Sequence, residues 1–246
     1  MTPKEAIERA LMERFTDEGG EPLSVHLSPG LSTEEITAFE PRFPRPLAVD
    51  IRDLLAFTSG FEFGPLGTHL DFCGDHPWGN EQGKTSPLGV PLVGDGYGNF
   101  WVVDVRGDTG EWGPVVFCCH DPPVVMIQAT SLAGFIDQIF DLGRPDRESA
   151  LDSLREKSVD RIWGEDPYLV TLDAARASPD PVVATFAREL PEDFRVVDLR
   201  VVEVGSGFCW GASGPDTVVK RCRWELLFGV EHRAKKGLLS RLFARG

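Results

Sequence analysis

Residues 91–105, PLVGDGYGNFWVVDV, constrain the fold more than any other part of the chain. The stretch begins with apolar residues, passes through GDGYGN at 94–99, and ends in an aromatic and β-branched run at 100–105. Glycine adopts positive φ at no steric cost, and Asp and Asn tolerate it, so the pattern predicts a tight turn joining two antiparallel strands. Asp104 is the one charge in the second run, which predicts a strand with one buried face and one wetter face.

Capping signals predict helices on both sides of this hairpin. Thr2 and Ser32 are each followed three positions later by a glutamate, Glu5 and Glu35, which is the pattern of a capping box. Ser131 is a further N-cap candidate. The predicted helices cover residues 3–15, 33–40, 48–58 and 132–142, and the predicted strands cover 61–64, 68–73, 92–93, 100–105, 114–118 and 124–127. This order predicts an α+β fold in which N-terminal helices pack on a mainly antiparallel sheet and a closing helix follows.

The second half of the chain contains no second GDGYGN-like turn. Asp146 is expected to cap a helix that runs to about Trp163, a helix is expected over 181–190, and β-rich runs follow at 194–204 and 217–230. We therefore predict two parts, an α+β domain over 1–143 and a smaller C-terminal α+β segment over 146–246. The second part either folds as a small domain or extends the sheet of the first.

The charge is unevenly distributed. The formal net charge is −14, yet residues 220–246 carry eight Lys/Arg against two Asp/Glu, which leaves −20 on residues 1–219. An acidic body repels nucleic acid and anionic membranes and suits a basic protein partner, although solubility alone also explains it. The basic segment at 233–246 is amphipathic, which favours docking on its own domain over membrane contact.

Composition also indicates a compartment. Five cysteines without framework spacing argue against a disulfide scaffold, the first 15 residues lack the apolar stretch of a secretory signal, and no apolar run approaches the length of a membrane span. We expect a cytoplasmic protein without stable membrane association.

Two stretches of the chain carry side chains that could support chemistry. The side chains that could build a zinc site or a Cys/His nucleophile are Cys73, Asp75, His76, Cys118, Cys119 and His120. Neighbouring residues on a strand point to opposite faces, so Cys118 and Cys119 cannot both serve one site. We predict no catalytic, cofactor-binding or metal-binding residues, and an enzyme with a Cys/His/Asp site around 73–76 and 118–121 is the alternative.

Acidic and aromatic residues near the strand ends form the candidate partner-binding surface. Trp78 lies in the long polar loop 74–89, where it either anchors the loop to the core or contacts a partner. An acidic patch with an aromatic anchor can capture a basic protein, and a solvated acidic face is the alternative. The candidate residues are Glu62, Asp71, Asp75, Trp78, Glu81, Asp95 and Tyr97.

A set of these motifs resembles a known family. The order LSTEEI at 31–36, LAVDIRDLLAFTSG at 47–60, GDGYGN at 94–99, GPVVF at 113–117, and ATSL at 129–132 resembles the SUKH superfamily of Smi/Knr-like proteins over residues 31–142. Leu47-Ala48 replaces the usual Leu-Pro, and Ser59-Gly60-Phe61 the usual Asn-Gly-Gly.

The resemblance implies a protein without a catalytic motif or cofactor. Bacterial members are immunity proteins that neutralise toxins, and fungal members are scaffolds in cell-wall signalling. We expect a non-catalytic immunity protein that binds and occludes a toxin, whose partner is a protein with a basic toxin domain. A regulatory scaffold is the alternative.

Overall fold

The computed structural model describes residues 1–76, 85–145, 147–211, 213–214 and 216–232, with the side chain of Asp152 left out. Its N-terminal helices begin at the predicted capping boxes. The Thr2 hydroxyl accepts from the Glu5 amide at 3.2 Å and the Glu5 carboxylate accepts from the Thr2 amide at 2.7 Å. Ser32 and Glu35 make the same exchange at 3.2 and 2.8 Å. The helices with these capping boxes are α1 (Pro3–Ala10) and α2 (Thr33–Phe39), whereas α3 (Val49–Phe57) begins after Ala48 without a side-chain cap.

Helix α1 is shorter than predicted. Residues Phe15–Thr16 form strand β1, which pairs with β2 (Pro22–Leu23), instead of a last helical turn. The Phe15 ring stacks on Phe140 at 5.5 Å and meets Phe63 edge-on at 5.2 Å. Burial of this aromatic ring therefore outweighs the local helical pattern, as tertiary packing commonly does.

The predicted hairpin lies in the middle of the fold. Its strands β6 (Val90–Gly94) and β7 (Phe100–Val105) pair antiparallel and continue into β8 (Trp112–Cys119) and β9 (Val124–Ala129). With β12 (Gly207–Cys209) they form the central sheet, in the order β12-β9-β8-β7-β6. Helix α4 (Leu132–Asp141), capped by Ser131 as predicted, closes one face together with α1. The α+β fold with a mainly antiparallel sheet is confirmed.

A second, smaller sheet lies next to β6. Strand β4 (Gly60–Phe63) pairs antiparallel with β3 (Val25–Leu27) on one side and with β5 (His69–Asp71) on the other. Phe61 and Phe63 point into the core, so Glu62 points outward between them. We call this the outer sheet.

The C-terminal part both forms a sheet of its own and extends the first one. Strand β12 pairs with β9. The C-terminal sheet is formed by β10 (Val170–Thr171), β11 (Phe194–Asp198), β13 (Val219–Arg221) and β14 (Leu227–Glu231), in the order β10-β11-β14-β13. Helix α5 (Ala150–Glu165) begins after Ser149, whose hydroxyl accepts from the Leu151 amide, and not after Asp146 as expected; Asp146 itself lies outside the described residues. The other helices are α6 (Leu172–Arg176) and α7 (Pro181–Glu189).

The C-terminal sheet covers the second face of the central sheet. Val102, Val116 and Ile127 of the central sheet pack with Val197 and Phe228 in one buried cluster. The expectation that β7 has a wetter face is therefore wrong, because Asp104 is only 1% exposed. The division into 1–143 and 146–246 stays a prediction.

In the described part of the chain, no helix has the length and apolar character that crossing a bilayer requires. The basic segment 233–246 lies outside the described residues.

Candidate partner-binding surface

The β6–β7 turn is locked by one carboxylate. Asp95 Oδ1 accepts from the amides of Tyr97 at 2.9 Å and Asn99 at 3.2 Å, and its Oδ2 accepts from Asn99 Nδ2 at 2.6 Å. Gly96 and Gly98 have φ of 80° and 90°, which other residues adopt at a cost. These bonds hold the backbone of the turn in place, while the Tyr97 side chain between the glycines is 86% exposed.

A second turn is tied to the first. Asn99 Oδ1 accepts from the backbone N–H of His120 at 2.8 Å, so the β8–β9 turn is joined to the β6–β7 turn. His120 and Asp121 are exposed there beside Tyr97. We call the exposed residues Tyr97, His120 and Asp121 the tip. Asn99 lies outside the predicted site, and its role depends on a neighbour in space 21 positions along the chain, which no local pattern reveals.

Asp95 contributes to this surface mainly as a support. Its side chain is 12% exposed, and Arg155 Nη1 of α5 lies 3.9 Å from its Oδ2. Sequence reasoning did not identify Arg155, because the approach of α5 to this turn is a tertiary contact. The carboxylate therefore fixes the turn and faces a cation of its own chain.

Asp71 has a similar supporting role in the next loop. It is 9% exposed, its Oδ1 accepts from the Cys73 amide and its Oδ2 from the Asp75 amide, both at 2.7 Å. Arg42 Nη1 donates to the Cys73 carbonyl at 2.6 Å, and His76 Nε2 lies 3.1 Å from the Leu92 carbonyl of β6. The loop is thereby held against the hairpin, with Asp75 exposed.

Glu62 belongs to a different patch, on the outward face of the outer sheet. In the strand register it stands directly between His26 and His69. These side chains line an open groove of about 630 Å³, together with Ser24 and Thr68. Opposite cross-strand residues have Cβ atoms about 5 Å apart, so two imidazoles flank one carboxylate. The two histidines were not predicted, because their strand pairing cannot be read from local sequence.

The structure thus places the seven predicted residues in different roles. Tyr97, Glu62 and Asp75 are exposed, whereas Asp71 and Asp95 hold loops. Trp78 and Glu81 lie outside the described residues.

The cysteines around 73 and 118 are poor nucleophiles in this structure. Burial raises the pKa of Cys73 to about 12, with the carboxylates of Asp71 and Asp75 adding to the effect. Burial also raises the pKa of Cys118 and of Cys119, so these thiols are protonated near neutral pH.

The two adjacent cysteines also face apart. Cys119 packs into the cluster shared with α4, while Cys118 packs against the C-terminal sheet, which is the predicted divergence. Over residues 1–76, 85–145 and the described remainder, no three His, Cys, Asp or Glu side chains converge as a metal site would require.

Comparison with known proteins gives one family. Residues 30–138, a little under half of the chain, match the model of the SMI1 / KNR4 family (SUKH-1). No curated protein and no solved structure matches the chain. The matched region runs from just before α2 through most of α4 and includes the hairpin, which agrees with the resemblance noted over 31–142. The match over residues 30–138 thus supports membership of the SUKH superfamily for that part of the chain.

Proposed function

We propose that this protein is a non-catalytic protein-binding protein, an immunity protein that binds a toxin and occludes it. The observation that carries the proposal is the tip, where Tyr97 is held out on a locked turn. Members of this family often bind protein partners. A rigid, exposed aromatic side chain is a strong anchor for such a partner, because binding orders little that is not already ordered.

Charge supports a basic partner. The chain carries a formal −14, and a field of this sign speeds the encounter with a cationic surface. Exposed carboxylates lie on both sides of the hairpin, at Asp75 in the neighbouring loop and Asp121 in the tip. Binding would therefore combine electrostatic steering with burial of the Tyr97 ring.

The same surface offers little for catalysis. The cysteines nearest to it have raised pKa values, and among the described residues no three His, Cys, Asp or Glu side chains converge as a metal site would require. These observations favour occlusion of a partner over chemistry on a substrate.

Affinity capture with the full chain tests the proposal. The immobilised wild type is compared with Tyr97→Ala, with the charge reversals Asp75→Lys and Asp121→Lys, and with Met12→Ala as a matched control, since Met12 is 89% exposed on the helical side. Reversal of Asp71 or Asp95 is avoided, because it would break the loops. We expect one stoichiometric basic protein that Tyr97→Ala binds at least about tenfold more weakly, the loss typical of an anchor residue.

The captured partner then decides between immunity and regulation. A partner that arrests growth when expressed alone, and no longer does so with this chain present, supports an immunity role. A partner enzyme without toxicity supports the regulatory scaffold. Equal binding by wild type and Tyr97→Ala would contradict the role given to the tip.

A further inference from the structure

A groove on the C-terminal part lies outside the SUKH region. It has a volume of about 740 Å³ and runs between helix α7 and the β13–β14 hairpin. One wall is formed by the exposed side of α7, and the other by the hairpin residues. Its lining includes Val182, Phe186, Glu189, Cys222, Trp224 and Glu225.

Part of this lining is apolar surface that the described residues leave in solvent. Val182 is 42% exposed on α7, and Trp224 is half-buried across from it. The Trp224 ring packs directly on Gly107, because a Cβ atom on Gly107 would lie only 2.6 Å from the ring. This contact holds the ring in place at the groove. An amphipathic helix commonly fills a groove of this kind, with its apolar side chains directed at the floor.

The chain itself supplies a segment with that pattern. Residues 233–246, RAKKGLLSRLFARG, follow β14 and lie outside the described residues. Leu238, Leu239, Leu242 and Phe243 would share one side of a helix, because residues four apart lie on the same face. The segment contains five Lys/Arg and no Asp/Glu, whereas the other residues carry 20 Lys/Arg and 39 Asp/Glu, a net −19.

The segment starts near one end of the groove. The His232 amide donates to the Asp193 carbonyl at 2.7 Å, which places the end of β14 at the start of β11. Leu190, just after α7, packs on Gly229 of β14. A Cβ atom on Gly229 would lie 2.6 Å from Leu190 Cδ1. The Glu189 end of the groove is therefore close to His232. Helix α7 has nine residues, about 13 Å of axis, and fourteen helical residues span about 21 Å.

Most charges of the groove lining are already paired. Arg106 pairs with both Asp108 and Glu225, and Arg221 pairs with the buried Asp104. This leaves Glu189 and Arg223 as the lining charges without an ion pair among the described residues, and Glu189 lies at the end of the groove close to His232. We propose that residues 233–246 dock in this groove, with the 238–243 apolar residues against Val182 and Trp224 and the basic residues near Glu189.

Limited proteolysis of the full chain tests the contact. Trypsin cleaves after Arg241, and intact-mass spectrometry follows that cut in wild type, in Val182→Lys/Glu189→Lys, and in Val49→Lys/Glu34→Lys. The last variant makes the same charge changes on exposed residues of α3 and α2. If docking holds the bond closed nine-tenths of the time, cleavage in wild type and the control is about tenfold slower than in the groove variant.

A second variant changes the docked segment and leaves the groove unchanged. Leu242→Ser/Phe243→Ser leaves the groove intact and should raise hydrogen exchange at the amides of α7 relative to wild type. The inference is overturned if cleavage after Arg241 is equally fast in wild type and the groove variant, or equally slow in both. Protection that appears only as protein concentration rises would overturn it too, since the groove would then hold the segment of a second copy.

Discussion

Asp104 and Arg221, 117 residues apart, form a bidentate ion pair between the central sheet and the C-terminal sheet. Both N–O distances are 2.7 Å, and the side chains are 2% and 5% exposed. Arg221 also donates to the carbonyls of Thr85, Trp224 and Glu225 at 2.8–2.9 Å. Asp104, the one charge in strand β7, thus joins the central sheet to the C-terminal sheet through Arg221.

Removing one partner of this pair should be costly. Asp104→Asn leaves the shape in place but leaves the Arg221 charge buried without its counter-ion, which typically costs about 3–5 kcal/mol. Urea unfolding measures the loss, with the exposed Lys157→Ala as a control that should leave the midpoint unchanged. A loss no larger than that of the control would show that the pair contributes little.

Asp166 should make stability depend on pH in an unusual direction. Burial raises the pKa of this carboxyl to about 6. The hydrogen bond from the Cys209 backbone and the charge of Arg195 lower the pKa, but by less than burial raises it. It also lies at the C-terminal end of α5, where a negative charge is unfavourable. Since the folded-state pKa lies above the unfolded value, the folded protein binds the proton more tightly, and this group adds stability as pH falls from about 7 through 6 toward 4.

The variant Asp166→Asn isolates that contribution. Asn tolerates the left-handed backbone here, φ 47°, and carries no charge. We expect the variant to be more stable than wild type at pH 7.5, and this advantage to shrink by pH 4.5. Unfolding curves at both pH values measure it, with the exposed neighbour Glu165→Gln as the control; an advantage that stays constant with pH would contradict the assignment.

The cysteines should react slowly in the native state. The pKa values of Cys73, Cys118 and Cys119 are all raised, with burial as the first cause, so little thiolate exists at pH 8. Alkylation by iodoacetamide should be far slower than for glutathione and should become fast in urea. A native cysteine that matches glutathione would revive the enzyme alternative.

The tie between the two turns should matter for binding more than for folding. Asn99→Ala removes both the bond to Asp95 and the acceptor for the His120 amide, so the Tyr97 turn gains freedom that a partner must then restrict. We expect weaker binding of the captured partner with a similar unfolding midpoint. Calorimetric titration beside Tyr97→Ala measures it, and unchanged affinity would show that the rigidity of the turn is not used.

A chain ending at Pro145 should not behave as an independent domain. It would lack β12 and would expose Val102, Val116, Cys118, Val125 and Ile127, whose burial is worth roughly 10 kcal/mol at most. We expect aggregation or non-cooperative unfolding, read by light scattering and circular dichroism, beside the full chain as control. A soluble, cooperative 1–145 chain would instead support the proposed boundary near residue 143.

Sequence reasoning succeeded where the determinants are local. The capping boxes at Thr2 and Ser32 and the GDGYGN turn each depend on residues within a few positions, and each forms as predicted. Prediction from the sequence failed where a segment distant in the chain determines the local structure. The wetter face of β7 does not exist because the C-terminal sheet covers it. Strand β12 (Gly207–Cys209) lies between the two β-rich runs predicted at 194–204 and 217–230, and it forms by pairing with the distant strand β9.

The candidate surface divides in the same way. The exposure of Tyr97 follows from its place between two glycines in a turn. The supporting roles of Asp71 and Asp95 rest on backbone amides two and four positions along the chain, an Asx-turn pattern that local sequence could have indicated. The approach of Arg155 and His120 depends on tertiary contacts, which local sequence does not reveal.

The pairing of β12 with β9 has a consequence for how the protein is made. Gly207 lies opposite Met126, so the edge of β9 stays without its neighbour while some 80 further residues are synthesised. An unpaired strand edge invites pairing with other chains, and closing so long a loop is slow. Between the emergence of residue 129 and that of residue 209 from the ribosome, a nascent copy therefore exposes an unpaired strand edge that favours aggregation.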